Sequence, residues 1–319
     1  ALSLRGINSG NFGNASLEPG VSIVSDGIPL TKAFMITLPV YDQQRIEVMR
    51  GPQGTSFGRN ATVGLLHFVS ARPTQETSAD VDVSIGDPGY TAITGHFNTA
   101  LSDNISGRLA YNISDWDGEL EDRDTGRPLQ WRENQSIRGS LLIEPSDNFT
   151  AYLKAEYIHD DDGPVVRRGT ESGPAPWLTG RFGNYTDGPD PFTADVDDTV
   201  PGEGVERDML FLTGEFTWTF DNGMSLTSLS GYQDGEHDSA QDAFGTPFAL
   251  RDQFVSNDAQ ILSTEIRLDN YGGDSRVRWI VGAQYLQDEE DRFELNIGFP
   301  ERGVCGGQPQ GACPEWNLI

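Results

Sequence analysis

The sequence has no apolar run of eighteen or more residues among its 319, and a membrane-spanning helix needs about twenty. A transmembrane helix is therefore excluded. Basic residues are scarce, because 22 lysines and arginines stand against 49 aspartates and glutamates, for a formal net charge of -27. Since nucleic acid binding needs lysine and arginine, this balance argues against a nucleic-acid partner. We interpret the acidic runs as solvated loops of a secreted or surface protein.

Cysteine and histidine are also rare. Cys305 and Cys313 lie in a segment rich in glycine, proline and glutamine, and their spacing fits a small loop closed by a disulfide. Such a bond would place the chain in an oxidising compartment such as the periplasm or the cell surface. No histidine lies near the cysteines, and the four histidines are scattered along the chain at residues 67, 96, 159 and 237. The sequence therefore predicts no metal site.

Glycine is abundant, with 37 residues, and helix-forming stretches are few, which indicates a β-rich chain with many turns. From Thr74 onward, segments of about ten residues alternate apolar and polar positions, as strands do. In residues 149–157, for example, apolar side chains alternate with Lys154 and Glu156. The same alternation is found in residues 105–113, 208–220, 260–270 and 276–287. An apolar face with aromatic ends opposite a polar face is typical of membrane β-barrel strands.

Alternation alone also fits the half-buried strands of a soluble sandwich. The lengths of the connections between strands distinguish a membrane barrel from such a sandwich. Short connections are predicted at residues 101–103, 144–147, 221–223 and 271–274, and long polar ones at 115–133, 160–207, 234–259 and after 288. Short turns at one end of a sheet and long loops at the other are typical of bacterial outer-membrane barrels. We count roughly nine strands in this part of the chain.

Residues 45–73, RIEVMRGPQGTSFGRNATVGLLHFVSARP, combine a short strand, a glycine-rich turn and a second apolar strand. This stretch resembles the end of the plug domain of TonB-dependent outer-membrane receptors, a family with the approximate pattern R-I-E-V-L-R-G-P-Q-G-x-x-[FY]-G-R-N-x-x-G-G-x-I-N-I-V-T-[KR]-R-P. The match has no gap and departs at residues 63–67, where the family shows Gly-Gly and then Ile-Asn. Leu4-Arg5-Gly6, Phe12-Gly13 and Asp26-Gly27-Ile28 match earlier parts of the same domain.

The resemblance implies a mainly β fold, with a transmembrane antiparallel β-barrel and a small α+β plug domain. Residues 1–73 would be the C-terminal part of the plug, and residues 74–319 the N-terminal part of the barrel. The family's barrel has about twenty-two strands, so we expect the roughly nine strands here to belong to a fragment that does not fold alone. The start of the plug and the segment that engages TonB are expected upstream of Ala1.

The resemblance also implies a function, which is active import across the bacterial outer membrane. A ferric siderophore is the first expected cargo, followed by haem, cobalamin or an oligosaccharide. The expected partners are the TonB complex of the inner membrane, reached through the missing N-terminal segment, the lipid of the outer membrane and an extracellular small-molecule ligand. No enzymatic activity and no resident cofactor are implied, because a ferric chelate would be the cargo.

Two sets of candidate site residues follow. External plug loops touch ligand in the family, and an aromatic wall is common in such sites. The candidate ligand-binding residues are Asn8, Asn11, Phe12, Asn14, Phe34, Trp177, Phe182 and Tyr185. A second hypothesis is that ion pairs hold the plug in the barrel. Its candidates are Arg5, Arg45, Arg50 and Arg59 in the plug, with Glu156, Glu215 and Glu265 on the barrel's inner face.

Two other classes of protein remain as alternatives. A soluble secreted β-rich carbohydrate-binding module would explain the alternation and the acidity, but it would not explain the plug-like pattern. A serine hydrolase is suggested by Gly54-Thr55-Ser56-Phe57-Gly58, which matches G-x-S-x-G. A nucleophile elbow needs a strand that runs directly into the serine and a helix that leaves it. Here the preceding strand is interrupted by Gly51-Pro52, which argues against Ser56 as a nucleophile.

Overall fold

The computed structural model describes residues 3–4, 7–8, 21–51, 64–164, 166, 190, 192–194, 203–242, 251–273 and 276–298. These residues lie mostly in β-strands, with a single turn of 3-10 helix at Ala33–Met35. Within these ranges, no helix is long and apolar enough to span a membrane.

The first part of the chain forms two small sheets. Its strands are β1 (Ser3–Leu4), β2 (Ile7–Asn8), β3 (Val21–Ser25), β4 (Ile28–Leu30), β5 (Gln43–Arg50) and β6 (Gly64–Ser70). Among the described residues β1 pairs with β2, and the other four strands form a mixed sheet in the order β4-β3-β6-β5, with β3 and β6 parallel, which we call the small sheet. Asp26 and Gly27 join β3 to β4, and both have positive φ angles, 48° and 84°. A two-residue hairpin turn with φ > 0 at both positions favours an Asp-Gly pair.

Most of the rest of the described chain builds one large antiparallel sheet. The strands from here on are β7 (Ser78–Gly86), β8 (Tyr90–Ser102), β9 (Ile105–Trp116), β10 (Leu120–Asp122), β11 (Pro128–Leu129), β12 (Arg132–Ser146), β13 (Phe149–Asp162), β14 (Thr193–Ala194), β15 (Gly204–Thr219), β16 (Ser225–Asp242), β17 (Arg251–Asp269) and β18 (Ile280–Gly298). Nine of them pair in the order β18-β17-β16-β15-β13-β12-β9-β8-β7. The short strands β10, β11 and β14 form a separate sheet within the long connections.

The two faces of the large sheet have the polarity of a membrane barrel. On β13, Leu153 is 37% exposed, whereas its neighbour Lys154 is 4% exposed and Glu156 is 6% exposed. The same outward apolar pattern crosses the sheet at Phe97, Leu109, Ile113, Ile137, Leu212, Phe216, Leu262 and Ile266. A soluble sandwich would bury these side chains and expose the charged ones. The predicted fold class, a mainly β chain with an antiparallel membrane-barrel wall, is confirmed.

The strands extend further than the sequence predicts. β16 reaches Asp242 and β17 begins at Arg251, so residues 243–250 separate them where a connection over 234–259 is predicted. β18 runs to Gly298, beyond the predicted end of this strand at about residue 287. Residues 234–242, 251–259 and 288–292 carry mostly polar residues on both faces, so the apolar alternation that marks a strand is absent there. At the end of β18, Phe293, Leu295 and Ile297 do alternate with polar residues, a strand signal that the predicted end at residue 287 misses. Nine strands in the large sheet agree with the predicted number.

The small sheet packs against the inner face of the large one. We call the large nine-stranded sheet the wall. An apolar cluster shared by the two sheets joins two groups of residues, which are Ile23, Leu30, Phe34, Met35, Ile36 and Phe68 from the first part of the chain and Ile158, Met209, Phe211, Ala259 and Ile261 of the wall. Two inward-facing glycines of β16 permit this approach, since a Cβ at Gly231 would lie 2.6 Å from Ile28 and one at Gly235 would lie 2.5 Å from Met35. The close contact between the two sheets at these positions therefore depends on the absence of a side chain on β16.

Candidate functional site: the interface between plug and wall

A buried ion pair lies at the centre of this interface. The Asp26-Gly27 turn brings the Asp26 carboxylate within 2.6 Å of Lys154 Nζ, and the two side chains are 6% and 1% exposed. Asp26 also accepts hydrogen bonds from the backbone N–H and the hydroxyl of Ser70, both at 2.8 Å. Burial alone would raise the pKa of Asp26, but Lys154 and the hydrogen bonds from Ser70 outweigh it and lower that pKa. Asp26 is therefore held as the carboxylate.

Arg138 extends the interface next to this pair. Its guanidinium donates to the backbone carbonyls of Tyr41 and Asp42, at 3.0 and 2.7 Å, and lies 3.5 Å from the Glu156 carboxylate. The Tyr41 hydroxyl donates to Glu156 at 2.9 Å, and the Tyr41 ring lies beneath the guanidinium at 4.6 Å. Burial, followed by the nearby Glu156 carboxylate, raises the pKa of Tyr41, so its hydroxyl stays protonated as the donor.

Asp42 is the second acidic anchor of the small sheet. Arg108 of β9 binds its carboxylate in a bidentate manner through Nε, at 2.9 Å, and through a terminal nitrogen. Bidentate arginine–carboxylate pairs fix orientation as well as charge. Asp26 and Asp42 together show that the wall supplies the cations and the small sheet the anions in this region.

At two further contacts the polarity is reversed. Lys32 Nζ lies 2.6 Å from Asp288 and 2.8 Å from Glu290, both on β18. Burial would lower the pKa of Lys32, but the bonds to these two carboxylates raise it, so the ammonium is retained. Arg72 binds Glu215 of β15 at 2.5 Å and lies over the Tyr152 ring at 4.5 Å.

Backbone and aromatic contacts hold the segment around the 3-10 helix. Arg207 donates to the Phe34 carbonyl at 3.0 Å and pairs with Asp160. The His237 ring stacks on the Phe34 ring, with centroids 5.5 Å apart. Gln233 donates to the Pro29 carbonyl at 2.9 Å. Arg207 of β15 and Gln233 of β16 therefore bind backbone carbonyls, contacts that do not depend on the side chains at residues 29 and 34, whereas the stacking of His237 requires an aromatic ring at Phe34.

The two candidate plug arginines that the structure describes, Arg45 and Arg50, form no ion pair with a described residue of the large sheet. Arg45 pairs with Glu47 of its own strand at 2.6 Å on the exposed edge of the small sheet, and Arg50 is exposed with no ion pair to another described residue. Glu265 lies beside Arg267 of its own strand, at 3.6 Å. β5 is the edge strand of its sheet, which places its arginines away from the described wall. Arg5 and Arg59 lie outside the described residues.

Glu156 and Glu215 do lie at the interface, where Tyr41 and Arg72 are their partners from the first part of the chain. The residues that sequence reasoning missed are Asp26, Lys32, Asp42, Arg72, Arg108, Arg138 and Lys154. The sequence did contain a signal for Arg108, Arg138 and Lys154, because a lysine or arginine in the polar register of an alternating strand faces the interior of a barrel. Their plug partners had no such signal.

The candidate ligand-binding residues are mostly not described. Phe34 is 5% exposed and belongs to the apolar cluster, so it offers no ring to an external surface. Asn8 lies in β2 and pairs with Ser3, but its side chain is not described. Candidates outside the described residues are Asn11, Phe12, Asn14, Trp177, Phe182 and Tyr185, and the same holds for Ser56, Cys305 and Cys313.

A sheet that is apolar outside and polar inside, with a small mixed sheet bound to its inner face, defines part of a plugged outer-membrane barrel. Residues 1–65 match the sequence model of the TonB-dependent receptor plug domain. The catecholate siderophore receptor Fiu of Escherichia coli is 26% identical over 178 residues, which are 56% of this chain and 20% of that receptor. The ferrioxamine receptor of Yersinia enterocolitica is 25% identical over 162 residues, or 51% and 21% of the two chains.

Among solved structures, the ferric yersiniabactin uptake receptor FyuA of Yersinia pestis superposes with a TM-score of 0.73 at 17% identity. The superposition covers 92% of this chain and 45% of that one, and at this identity it shows the shared fold. The chain thus spans about a fifth of the length of the curated relatives it matches. Residues 1–65 thus match the plug domain of TonB-dependent receptors, and the chain combines this segment with strands that have the fold of an outer-membrane receptor barrel.

Proposed function

We propose that the receptor containing this chain imports a ferric siderophore across the outer membrane, with TonB supplying the work. The relatives support the choice of cargo, since two of them carry the names of catecholate siderophore and ferrioxamine receptors. We also propose that the plug ends at about residue 73, between β6 and β7, with the barrel occupying residues 74–319. No enzymatic step belongs to this function.

The observation that carries the proposal is the plug's attachment to the wall. Asp26–Lys154 and Asp42–Arg108 are buried pairs between two parts of the chain more than sixty residues apart. Breaking one buried pair by removing a partner costs about 3–5 kcal/mol. A cargo can pass only when the plug moves, and the outer membrane has no ATP and no sustained ion gradient to drive that movement. Work delivered from the inner membrane through TonB meets this requirement.

Haem, cobalamin and an oligosaccharide are the other cargoes of this class of importer. A soluble carbohydrate-binding module is disfavoured by the outward side chains, since Ile137 and Ile266 are 49% and 50% exposed in the middle of long strands. Such a band is stable in lipid and promotes aggregation in water.

The test uses the complete receptor gene in an iron-starved strain that lacks it, with and without a functional TonB. Radioactive iron is supplied as a catecholate chelate, as ferrioxamine or as haem, and labelled cobalamin is supplied separately. We expect uptake of iron from a ferric siderophore only when both the receptor and TonB are present. Equal uptake without TonB would refute the energy source. Uptake of haem or cobalamin alone would refute the cargo.

A further inference from the structure

The charged side chains of the wall are sorted between its two faces. All described lysine and arginine side chains on the nine strands occupy inward register positions, namely Arg108, Arg132, Arg138, Lys154, Arg207, Arg267 and Arg292. At the end of the sheet that carries the long connections, eleven of the outward positions are acidic. They are Asp115, Glu133, Asp161, Glu206, Asp208, Asp234, Glu236, Asp238, Asp258, Glu289 and Asp291, which we call the acidic belt.

One histidine lies within this belt. His159 of β13 and Asp208 of β15 are directly opposite each other across the strand pair, with His159 Nδ1 3.0 Å from a carboxylate oxygen. Glu206 precedes Asp208 by two residues and therefore projects from the same face. One ligand atom from each of the three side chains lies within 4.8 Å of the other two. The Tyr157 hydroxyl, one pleat closer to the apolar band, donates to the Asp208 carboxylate.

This is a mixed nitrogen and oxygen donor set. Zinc-type ions bind histidine and carboxylate ligands at about 2.0–2.2 Å, which puts ligand atoms about 3.4 Å apart in a tetrahedral site. The three side chains reach that spacing by small rotations at the membrane surface, since all three are partly or fully solvent-accessible. The imidazole favours a zinc-type ion over calcium or magnesium. The Tyr157 hydroxyl would orient one ligand, as outer hydrogen bonds do in metal sites.

Electrostatics favours a cation at the same place. Asp161 faces Glu206 across the strand pair and Glu236 faces Asp208, so the triad is surrounded by further outward carboxylates. The nearest strand cation, Arg207, points to the opposite face of the sheet and is paired with Asp160. A carboxylate cluster without outward basic residues attracts divalent counterions.

We propose that His159, Glu206 and Asp208 form a binding site for a divalent zinc-type ion on the outer surface of the barrel. The ion would link β13 to β15 near the strand ends that their long connection joins, and it would leave a fourth coordination position for water. This site is separate from the plug interface and independent of the cargo.

The test measures binding of zinc alone to the purified complete receptor in detergent, after treatment with a chelator, by isothermal titration calorimetry. We expect one ion per chain, with affinity lowered at least tenfold by H159A and by E206Q. Cobalt(II) serves as a spectroscopic probe, because a site with a bound imidazole gives visible absorption bands that change when the ligand set changes. His159→Cys should retain binding with a shifted cobalt spectrum, because thiolate is also a zinc ligand.

The matched control is D258N, which removes an outward carboxylate of the same belt two strands away from β15. Binding by D258N should equal that of the unaltered receptor. An equal loss in D258N and H159A, or no binding tighter than about 1 mM, would overturn the proposal and leave a diffuse ion atmosphere. Because the three side chains project outward, all variants are expected to fold, and electrophoresis of unheated receptor checks this.

Discussion

Replacing Lys154 by methionine should weaken the attachment of the plug to the wall. Methionine keeps most of the volume of lysine, so the change removes the charge and little packing. Asp26 would remain buried, 6% exposed, without the ammonium that lies 2.6 Å away. Glu156 also approaches Lys154, but it keeps its contacts with Arg138 and Tyr41. The cost therefore falls on Asp26 and should reach about 3–5 kcal/mol of the free energy that holds the plug.

The pH dependence gives this prediction a distinctive sign. In the unaltered receptor the pKa of Asp26 is lowered on folding, so its stabilising effect is complete above its ordinary pKa of about 3.9 and is lost as the pH falls through the folded value. Without Lys154, burial becomes dominant and raises the pKa of Asp26 instead. The variant should then hold its plug more firmly as the pH is lowered from about 7 to about 5, whereas the unaltered receptor should not change.

The assay is a urea titration of the complete receptor in detergent, with protease sensitivity of the plug as the readout. D26N combined with Lys154→Met should recover much of the loss, because no buried charge then lacks a partner. Arg45→Met is the matched control, since it breaks an exposed pair with Glu47 and should cost less than about 1 kcal/mol. If Lys154→Met costs no more than Arg45→Met, the interface does not depend on this pair.

Three further predictions concern the rest of the interface and the wall. Lys32→Met should lower the urea midpoint for plug release; because the pKa of Lys32 is raised, the unaltered receptor should lose this contribution only as the pH rises above about 10.4. Gly231→Val should overpack the interface against the plug by about 1–3 kcal/mol, measured in the same titration, whereas Gly139→Ala faces open space and should change little. Leu153→Arg should slow or prevent insertion into lipid vesicles, at a cost of about 2–4 kcal/mol if it lies at mid-membrane, and Glu133→Arg, beyond the apolar band, should insert normally.

The period-two alternation was sufficient to predict the wall because one physical rule governs each strand. In residues 149–157 lipid faces one side and the interior the other, so polarity alone sets the register. The rule fails where a strand rises beyond the lipid. There, as in β16 up to Asp242, both faces meet water or protein polar groups, and the sequence no longer distinguishes a strand from a loop.

The pairing across the interface could not be predicted in the same way. Asp26 and Lys154 are 128 residues apart, and nothing in either local sequence names the other. The Asp26-Gly27 pair is a sequence signal for a hairpin turn, because the turn geometry is local. Its role as an anchor depends on how the whole plug is placed against β13. The sequence therefore predicts which residues face the interior and not which of them meet.

The chemistry of the interface also bears on how a plug can be held firmly and still be moved. Its apolar cluster, with Phe34 and Met35 against the wall, resists displacement in proportion to the area exposed. A buried ion pair behaves differently, since once water enters the gap both charges are rehydrated and their attraction falls steeply. Pairs such as Asp26–Lys154 therefore resist the first small separation most strongly and resist further movement little. A pull that is applied locally and admits water would release them one after another.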